Sequence, residues 1–317
     1  MLRFRTRNMN LRVALVIASV AFASPLVAQR GPATPPLVRE NATVKVAPHT
    51  YVIPDGGVGQ VPNVGIVVGT RATLVIDPGL GRRNGETVAK EVAKVAGGRE
   101  MFLASTHFHT EHSTGLAAFP ATARYVNSKV QEEDYARGAA GHAGRFSEMS
   151  PTHADLLRDM TRRTADITFD REYILDLGGV SVKFLMLGPT HTRGDTAFFV
   201  EGDNVLFAGD LVMNNSFVAA NQESSMKAWL AAFDALESMG PKVIVPAHGP
   251  MGDGSLIGVN RGFLQAIDTR VRQLKAQKRP MDEVAATVQA EMQAKYPTFE
   301  RVNGVAGAAR AAYAAAP

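Results

Sequence analysis

His107-Phe108-His109-Thr110-Glu111-His112 packs three imidazoles and a carboxylate into six residues, directly after the apolar run 101–105. A structural histidine normally occurs singly, with its second nitrogen satisfied by a backbone carbonyl. Three in one short stretch would repel one another if protonated, whereas neutral imidazole is a preferred metal ligand. Five of the eight histidines fall into one pattern with this cluster. His191 lies in Gly188-Pro189-Thr190-His191-Thr192-Arg193-Gly194-Asp195-Thr196, Asp210 follows the run 205–208, and His248 sits in Pro246-Ala247-His248-Gly249. Each follows a stretch with strand character.

Around these points one order of elements occurs twice. Strands at 43–53, 64–68 and 73–76 lead to Asp77-Pro78-Gly79, and a helix follows over 84–96. Asn84 is placed like an N-cap there, with Val88, Val92 and Val95 at helical spacing. A strand at 101–105 then enters the histidine cluster. In the second passage, strands 196–200 and 205–208 form a hairpin across Glu201-Gly202-Asp203-Asn204 that ends in Gly209-Asp210. A helix over 225–239, a strand over 242–245 and His248 complete it. The unit hairpin, Asp, helix, strand, His therefore spans 64–107 and again 196–248. The expected class is α/β: two units that stack their sheets give a four-layer αβ/βα sandwich with helices outside. Both sets of strand-end residues then meet at one rim, where α/β folds place their chemistry.

The motif His-x-His-x-Glu-His, the distant His191, Asp210 and His248 together resemble the metallo-β-lactamase superfamily, over roughly 43–250. The family motif is His-x-His-x-Asp-His, so Glu111 stands in the Asp position. The resemblance implies the αβ/βα sandwich already expected and assigns the ligands residue by residue. His107, His109 and His191 hold a first metal; Glu111, His112 and His248 hold a second; Asp210 bridges them; Asp77 orients a metal ligand from behind. Zinc is the implied ion, two per chain, with iron compatible with the same donors. The implied activity is that of a metal-dependent hydrolase. A metal-bound, dizinc-bridging hydroxide attacks an ester, thioester, lactone, amide or phosphoester, and Glu111 and Asp210 are the catalytic carboxylates. Class B β-lactamases carry Cys or Ser near the position of Asp210, which sets this chain apart from them. A β-lactamase, an iron-dependent oxygenase on the same fold and a non-catalytic metal-binding relic are the alternatives. Glutamate reaches over an ångström further than aspartate, so either the backbone shifts to keep a dimetal geometry or the second site is weak.

The ends of the chain carry a different message. Residues 1–28 hold Arg3, Arg5, Arg7 and Arg12, an apolar run at 13–22 and small residues up to Ala28. This reads as a secretory signal peptide cleaved after Ala28, with Ala23 the alternate site, and the expected location is the periplasm or the exterior. The apolar run is short of the roughly 20 residues a membrane span needs, so no stable membrane insertion is expected after cleavage. Without this segment Lys+Arg falls from 34 to 30, equal to the 30 Asp+Glu, which removes the case for a nucleic-acid partner. The partner is a small-molecule substrate. The chain has no cysteine, which excludes a thiolate metal site and a cysteine nucleophile.

The remaining organisation is a Pro-rich leader at 29–42, expected to be disordered, the main domain at 43–255 and a helical extension at 256–317. Within the main domain, 131–164 is a mostly helical insert that acts either as a lid or as ordinary packing. The extension has amphipathic helices at 256–276 and 281–295, and its Ala-rich tail from 305 is expected to fray. His49 is read as structural, and His142 and His153 as solvated. Trp229 and Phe233 are read as core, and Arg193 and Asn214 as candidates for contacting substrate.

Overall fold

The computed structural model describes residues 34–316; the signal-peptide reading of 1–28 lies outside them. Twelve strands form two sheets. The first contains β1 (Val44–Lys45), β2 (Thr50–Ile53), β3 (Val64–Val68), β4 (Ala72–Ile76), β5 (Glu100–Ala104), β6 (Arg124–Ser128) and β7 (Ile167–Phe169), adjacent in chain order. The second contains β8 (Glu172–Asp176), β9 (Ser181–Met186), β10 (Thr196–Val200), β11 (Val205–Gly209) and β12 (Val243–Pro246), again in chain order. Eight α-helices complete the described residues: α1 (Gly81–Ala96), α2 (Thr110–Ser113), α3 (Lys129–Ser147), α4 (Pro151–Leu157), α5 (Met226–Ser238), α6 (Ser255–Ala276), α7 (Met281–Lys295) and α8 (Asn303–Ala315).

The layering follows from the two-residue period of the strands, which sends alternate side chains to opposite faces. In β4, Leu74 and Ile76 join a core with Phe184 and Val182 of β9 and Phe198 and Val200 of β10. That core is the sheet-to-sheet interface. Val75, between them, points the other way and packs with Val88 and Val92 of α1. On the second sheet, Phe199, Leu206 and Ile244 face outward onto Trp229 and Phe233 of α5 and onto apolar residues of α6, α7 and α8. The result is the four-layer αβ/βα sandwich expected from the sequence. The expected hairpin–helix–strand repeat is present in both halves. β3 and β4 are antiparallel and β4 and β5 parallel; β10 and β11 are antiparallel and β11 and β12 parallel.

Several expectations need correction. α1 begins at Gly81, so Asn84 is inside the helix and is not its cap. Its buried side chain accepts from Val38 N and donates to Pro36 O and Leu80 O. Those contacts lay the described part of the leader along α1, with Val38 buried, instead of leaving it loose. The Ala-rich tail does not fray: it is α8, with Ala308, Ala309 and Ala312 fully buried in the core of the second sheet. Small side chains let this helix seat closely. A Cβ at Gly307 would lie 1.9 Å from the carbonyl oxygen of Ala220. The extension is therefore one wall of the sandwich, sharing a core with α5. Strands β6 to β9 were not expected from the sequence; β7 and β8 are partly exposed, whereas β6 and β9 are mostly buried.

Candidate metal centre

The two halves are stitched together where their strands end. Asp77 follows β4 in a left-handed conformation (φ 55°). Its carboxylate accepts from Thr106 N at 2.7 Å and from Thr106 Oγ1 at 2.8 Å. Thr106 in turn accepts from Thr196 N through its carbonyl, at 2.8 Å, which joins the first half to β10. Gly209 has φ 57° and lies against the Thr106 side chain, where a Cβ would come within 2.8 Å. Only glycine tolerates both constraints, and it sets Asp210 beside the histidine loop.

Three imidazoles converge there. His107 Nε2 is 3.0 Å from His109 Nδ1, and His191 Nε2 is 3.2 Å from the same atom. A single proton on His109 Nδ1 can serve these contacts, and a cation set among the three nitrogens would take its place. Ligands about 2.1 Å from a tetrahedral zinc stand about 3.4 Å apart, so the spacing fits such an ion. A second group comprises Glu111, His112 and His248, whose ligand atoms lie within 4.8 Å of one another. Asp210 stands beside the first group, with Oδ2 3.6 Å from His191 Nε2, and its charge also acts on His112 and His248.

The outer nitrogens determine where the lone pairs point. His112 Nδ1 is 3.0 Å from Asp77 Oδ2, His248 Nδ1 is 2.9 Å from Val61 O, and His191 Nδ1 meets Ala219 O. A proton held on each Nδ1 leaves Nε2 as an inward lone pair. Buried side-chain atoms without a hydrogen-bond partner include Glu111 Oε2, His112 Nε2, Asp210 Oδ1 and His248 Nε2, all at this centre. Unpaired buried polar atoms are costly, and their convergence fits a divalent metal held by these donors.

Burial and the surrounding imidazoles push His107 and His109 well below the usual histidine value. Burial also lowers His248 to about 3. For His112 burial acts in the same direction, but the Asp77 carboxylate overrides it and raises the group to about 9, so Nε2 holds a proton at neutral pH that a bound metal would displace. Burial raises Glu111. Burial pushes Asp210 upward too, yet the Arg301 guanidinium and the imidazoles hold it well below the ordinary carboxylate range.

Two residues were not anticipated here. His142 of α3 is buried, not solvated, and its ring stacks on His109 at 4.0 Å with the planes 9° apart. Its Nδ1 is 2.7 Å from Thr110 Oγ1. His109, Glu111 and His142 also bring a ligand atom each within 4.8 Å of one another. Parallel stacked rings direct their lone pairs side by side, however, and His142 Nδ1 is occupied by Thr110, so this group is a poorer fit to one ion than the other two. Arg301, between α7 and α8, donates from Nη1 to Asp210 Oδ2 at 2.7 Å. A glycine-punctuated helix gave no signal for the first, and distance along the chain hid the second.

The other sequence candidates divide. Asn214 lines a cavity of about 650 Å³ that reaches His248 and Arg301, with its Nδ2 donating to Pro250 O. Arg193 does not line that cavity, and its guanidinium meets Glu133 and Asp134 at 3.1 and 3.2 Å. His153 is buried against Ser150 and Phe146, not solvated. His49 pairs with Asp203, and Trp229 and Phe233 are fully buried. Two further hollows, lined by Arg82 and Asp155 and by Arg162 and Asp166, touch none of the ligand groups.

With this geometry in hand, the family follows. The model of the metallo-beta-lactamase superfamily matches residues 57–248, well over half of the chain. The chain belongs to that superfamily. No curated protein matches the sequence. Among solved structures, a metallo-beta-lactamase from Pontibacter korlensis has a TM-score of 0.58 at 20% identity, covering 70% of this chain and 98% of its own. The stereoselective inverting sec-alkylsulfatase Pisa1 from Pseudomonas sp. has a TM-score of 0.64 at 16% identity. That match covers 86% of this chain and 49% of the sulfatase, so the chain spans about half of that protein. The DIM-1 metallo-beta-lactamase, in a crystal exposed to ceftazidime, has a TM-score of 0.53 at 18% identity, over 71% of this chain and 96% of its own. At these identities the likeness is one of fold.

Proposed function

We propose that this protein is an exported, zinc-dependent hydrolase of a small molecule bearing an ester, thioester, lactone, amide or phosphoester bond. The observation that carries the reading is the pair of ligand groups, His107/His109/His191 and Glu111/His112/His248. The second group's inward atoms Glu111 Oε2, His112 Nε2 and His248 Nε2 lack partners. The first group's nitrogens crowd one another at 3.0 and 3.2 Å, Asp210 Oδ2 stands 3.6 Å from His191 Nε2, and a cavity of about 650 Å³ reaches His248. Divalent metal held by these groups supplies Lewis acidity and a water whose pKa falls toward about 7, which makes a nucleophile available without cysteine or serine.

The chain's own residues do the rest. Asp77, Val61 and Ala219 fix the ring orientations of His112, His248 and His191 through the outer nitrogens. Asp210 stays ionised beside the first group, and its charge also acts on His112 and His248. Glu111 is the other carboxylate in reach, placed to accept a proton and pass it to a leaving group. The cavity wall of Val58, Met213 and Met251 supplies apolar contact for a substrate. Asp210, standing where dedicated β-lactamases carry Cys or Ser, favours an ester-type substrate over a β-lactam. The N-terminal basic and apolar run supports export to the periplasm or beyond.

The test is metal content by mass spectrometry on the purified protein, followed by a hydrolysis screen over lactones, thioesters, phosphodiesters and β-lactams. About two zinc ions and turnover of one class are expected. One zinc would restrict the reading to a single-metal hydrolase, iron would redirect it to oxygen chemistry, and no metal after reconstitution would sink it.

A further inference from the structure

Arg301 is the one Lys or Arg among the residues that line the cavity beside the ligand groups, and it lies outside the stretch that matches the family. Its backbone is held in place. Glu300 N donates to Asn215 O and Phe217 N donates to Glu300 O, both at 3.1 Å, so residue 300 pairs with the loop that follows Asp210. Arg301 itself has φ 55°, a conformation that a glycine or asparagine adopts more easily. Lys278 and Gln60 share that conformation, so what marks Arg301 out is where its side chain lies, on the cavity wall beside Asp210.

The guanidinium makes one hydrogen bond, from Nη1 to Asp210 Oδ2. Arginine paired with a carboxylate as its sole purpose commonly makes two parallel bonds. Here the side chain keeps 30% of its surface exposed, and no other partner meets its remaining N–H groups among the described residues. The open side of the fork faces the cavity. Two carboxylates, Asp55 and Glu300, line the same cavity, and Asp55 spends its oxygens on Gly57 N and Gly249 N. A divalent ion held by Asp210 would offset the Asp210 carboxylate and leave the Arg301 guanidinium free to meet an anion. Planar guanidinium in that state is suited to a carboxylate, sulfate or phosphate group.

We propose that Arg301 docks an oxyanionic group that the substrate carries in addition to its scissile bond, so the substrate class is an anionic one. This rests on the hydrolase reading of the same site. The site as a whole then divides its work: the ligand groups hold the bond to be cleaved, and the C-terminal extension supplies the anchor.

The test is a binding measurement. N-methylsuccinamate, a monoanion, and its neutral analogue N-methylbutyramide are titrated calorimetrically into zinc-loaded wild type, Arg301→Met and Arg301→Lys, with the zinc content of each measured. Wild type is expected to bind the monoanion at least tenfold more tightly than Arg301→Met, with Arg301→Lys between them and the neutral amide unaffected. Methyl phosphate in place of the carboxylate shows which oxyanion the fork prefers. Equal affinities at equal zinc overturn the proposal. So does a loss of affinity in Arg301→Met that merely follows lost zinc, since Arg301 then serves Asp210 alone. Arg301-dependent binding without hydrolysis of any ester leaves the anchor standing and removes the hydrolase reading. A protein that takes up no zinc removes both.

Discussion

The β3–β4–α1–β5 half and the β10–β11–α5–β12 half have one topology, and each places an aspartate after its second strand. The two aspartates serve opposite ends. Asp77 spends both oxygens within the protein, on Thr106 and on His112. Asp210 leaves Oδ1 unpartnered and turns the other oxygen to Arg301. The backbone position is thus shared, and the neighbouring side chains decide whether the carboxylate is spent within the protein or left with an open oxygen. The threonine that satisfies Asp77 exists because β5 runs on into the histidine loop; after β12 the corresponding loop offers Ala247 and His248.

The most severe way to break this comparison is Asp210→Asn, which keeps shape and removes charge. Metal catalysis contributes several kcal/mol to transition-state stabilisation, so a fall in turnover of roughly 10³-fold is expected. Mass spectrometry should show lost metal, and retained metal with full turnover would contradict the bridging role. Asp77→Asn should be milder, weakening metal binding at Glu111/His112/His248 by roughly 10–100-fold while His107/His109/His191 keeps its ion. A competition titration against a chelator reads the two sites apart. Equal weakening at both would mean that Asp77 supports the loop as a whole.

Glu111→Asp sharpens the contrast between the two ligand groups. Restoring the shorter carboxylate should preserve or improve the second metal's affinity, whereas Glu111→Ala should abolish it. If the aspartate variant loses the ion as thoroughly as the alanine variant, the backbone here is fitted to glutamate.

The smallest effect concerns the insert, which neither half repeats. Asp134 on α3 is raised by burial from 3.8 to about 6, against the opposing pull of Arg193 and Arg137. Between these values the unfolded chain gives up its proton before the folded chain does. Stability should therefore fall as pH rises from about 4 to about 6. Asp134→Asn should flatten that slope, by a few degrees in Tm at most, given about 2–4 °C per kcal/mol for a chain of this size. An unchanged slope would assign the pH dependence to other groups.

Strands β3 and β10 were legible to the residue because each is a short, mainly apolar run, and helix α7 because Pro280 and Pro297 bracket it. So was the histidine cluster, because imidazoles at that density on a strand-end loop suit metal binding and little else. His142 was not legible: its neighbours Gly141 and Gly144 suggest a loose insert, and only packing onto His109 buries it. The buried face of α8 was equally hidden, since alanine favours helix and carries little hydrophobic signal. What buries it is the close approach that Gly304 and Gly307 allow to the backbone of 218–220.

The amino-acid sequence by itself determined the class of fold, the doubled unit and the histidines and carboxylates that gather at its strand ends, because residue type and short-range spacing carry that information. Only the tertiary structure decided which nitrogens face inward, that Arg193 is spent on Asp134, and that Arg301 reaches Asp210 from the far end of the chain. Those outcomes depend on contacts between residues tens of positions apart, whose partners are chosen by packing and the satisfaction of buried polar groups rather than by any local pattern.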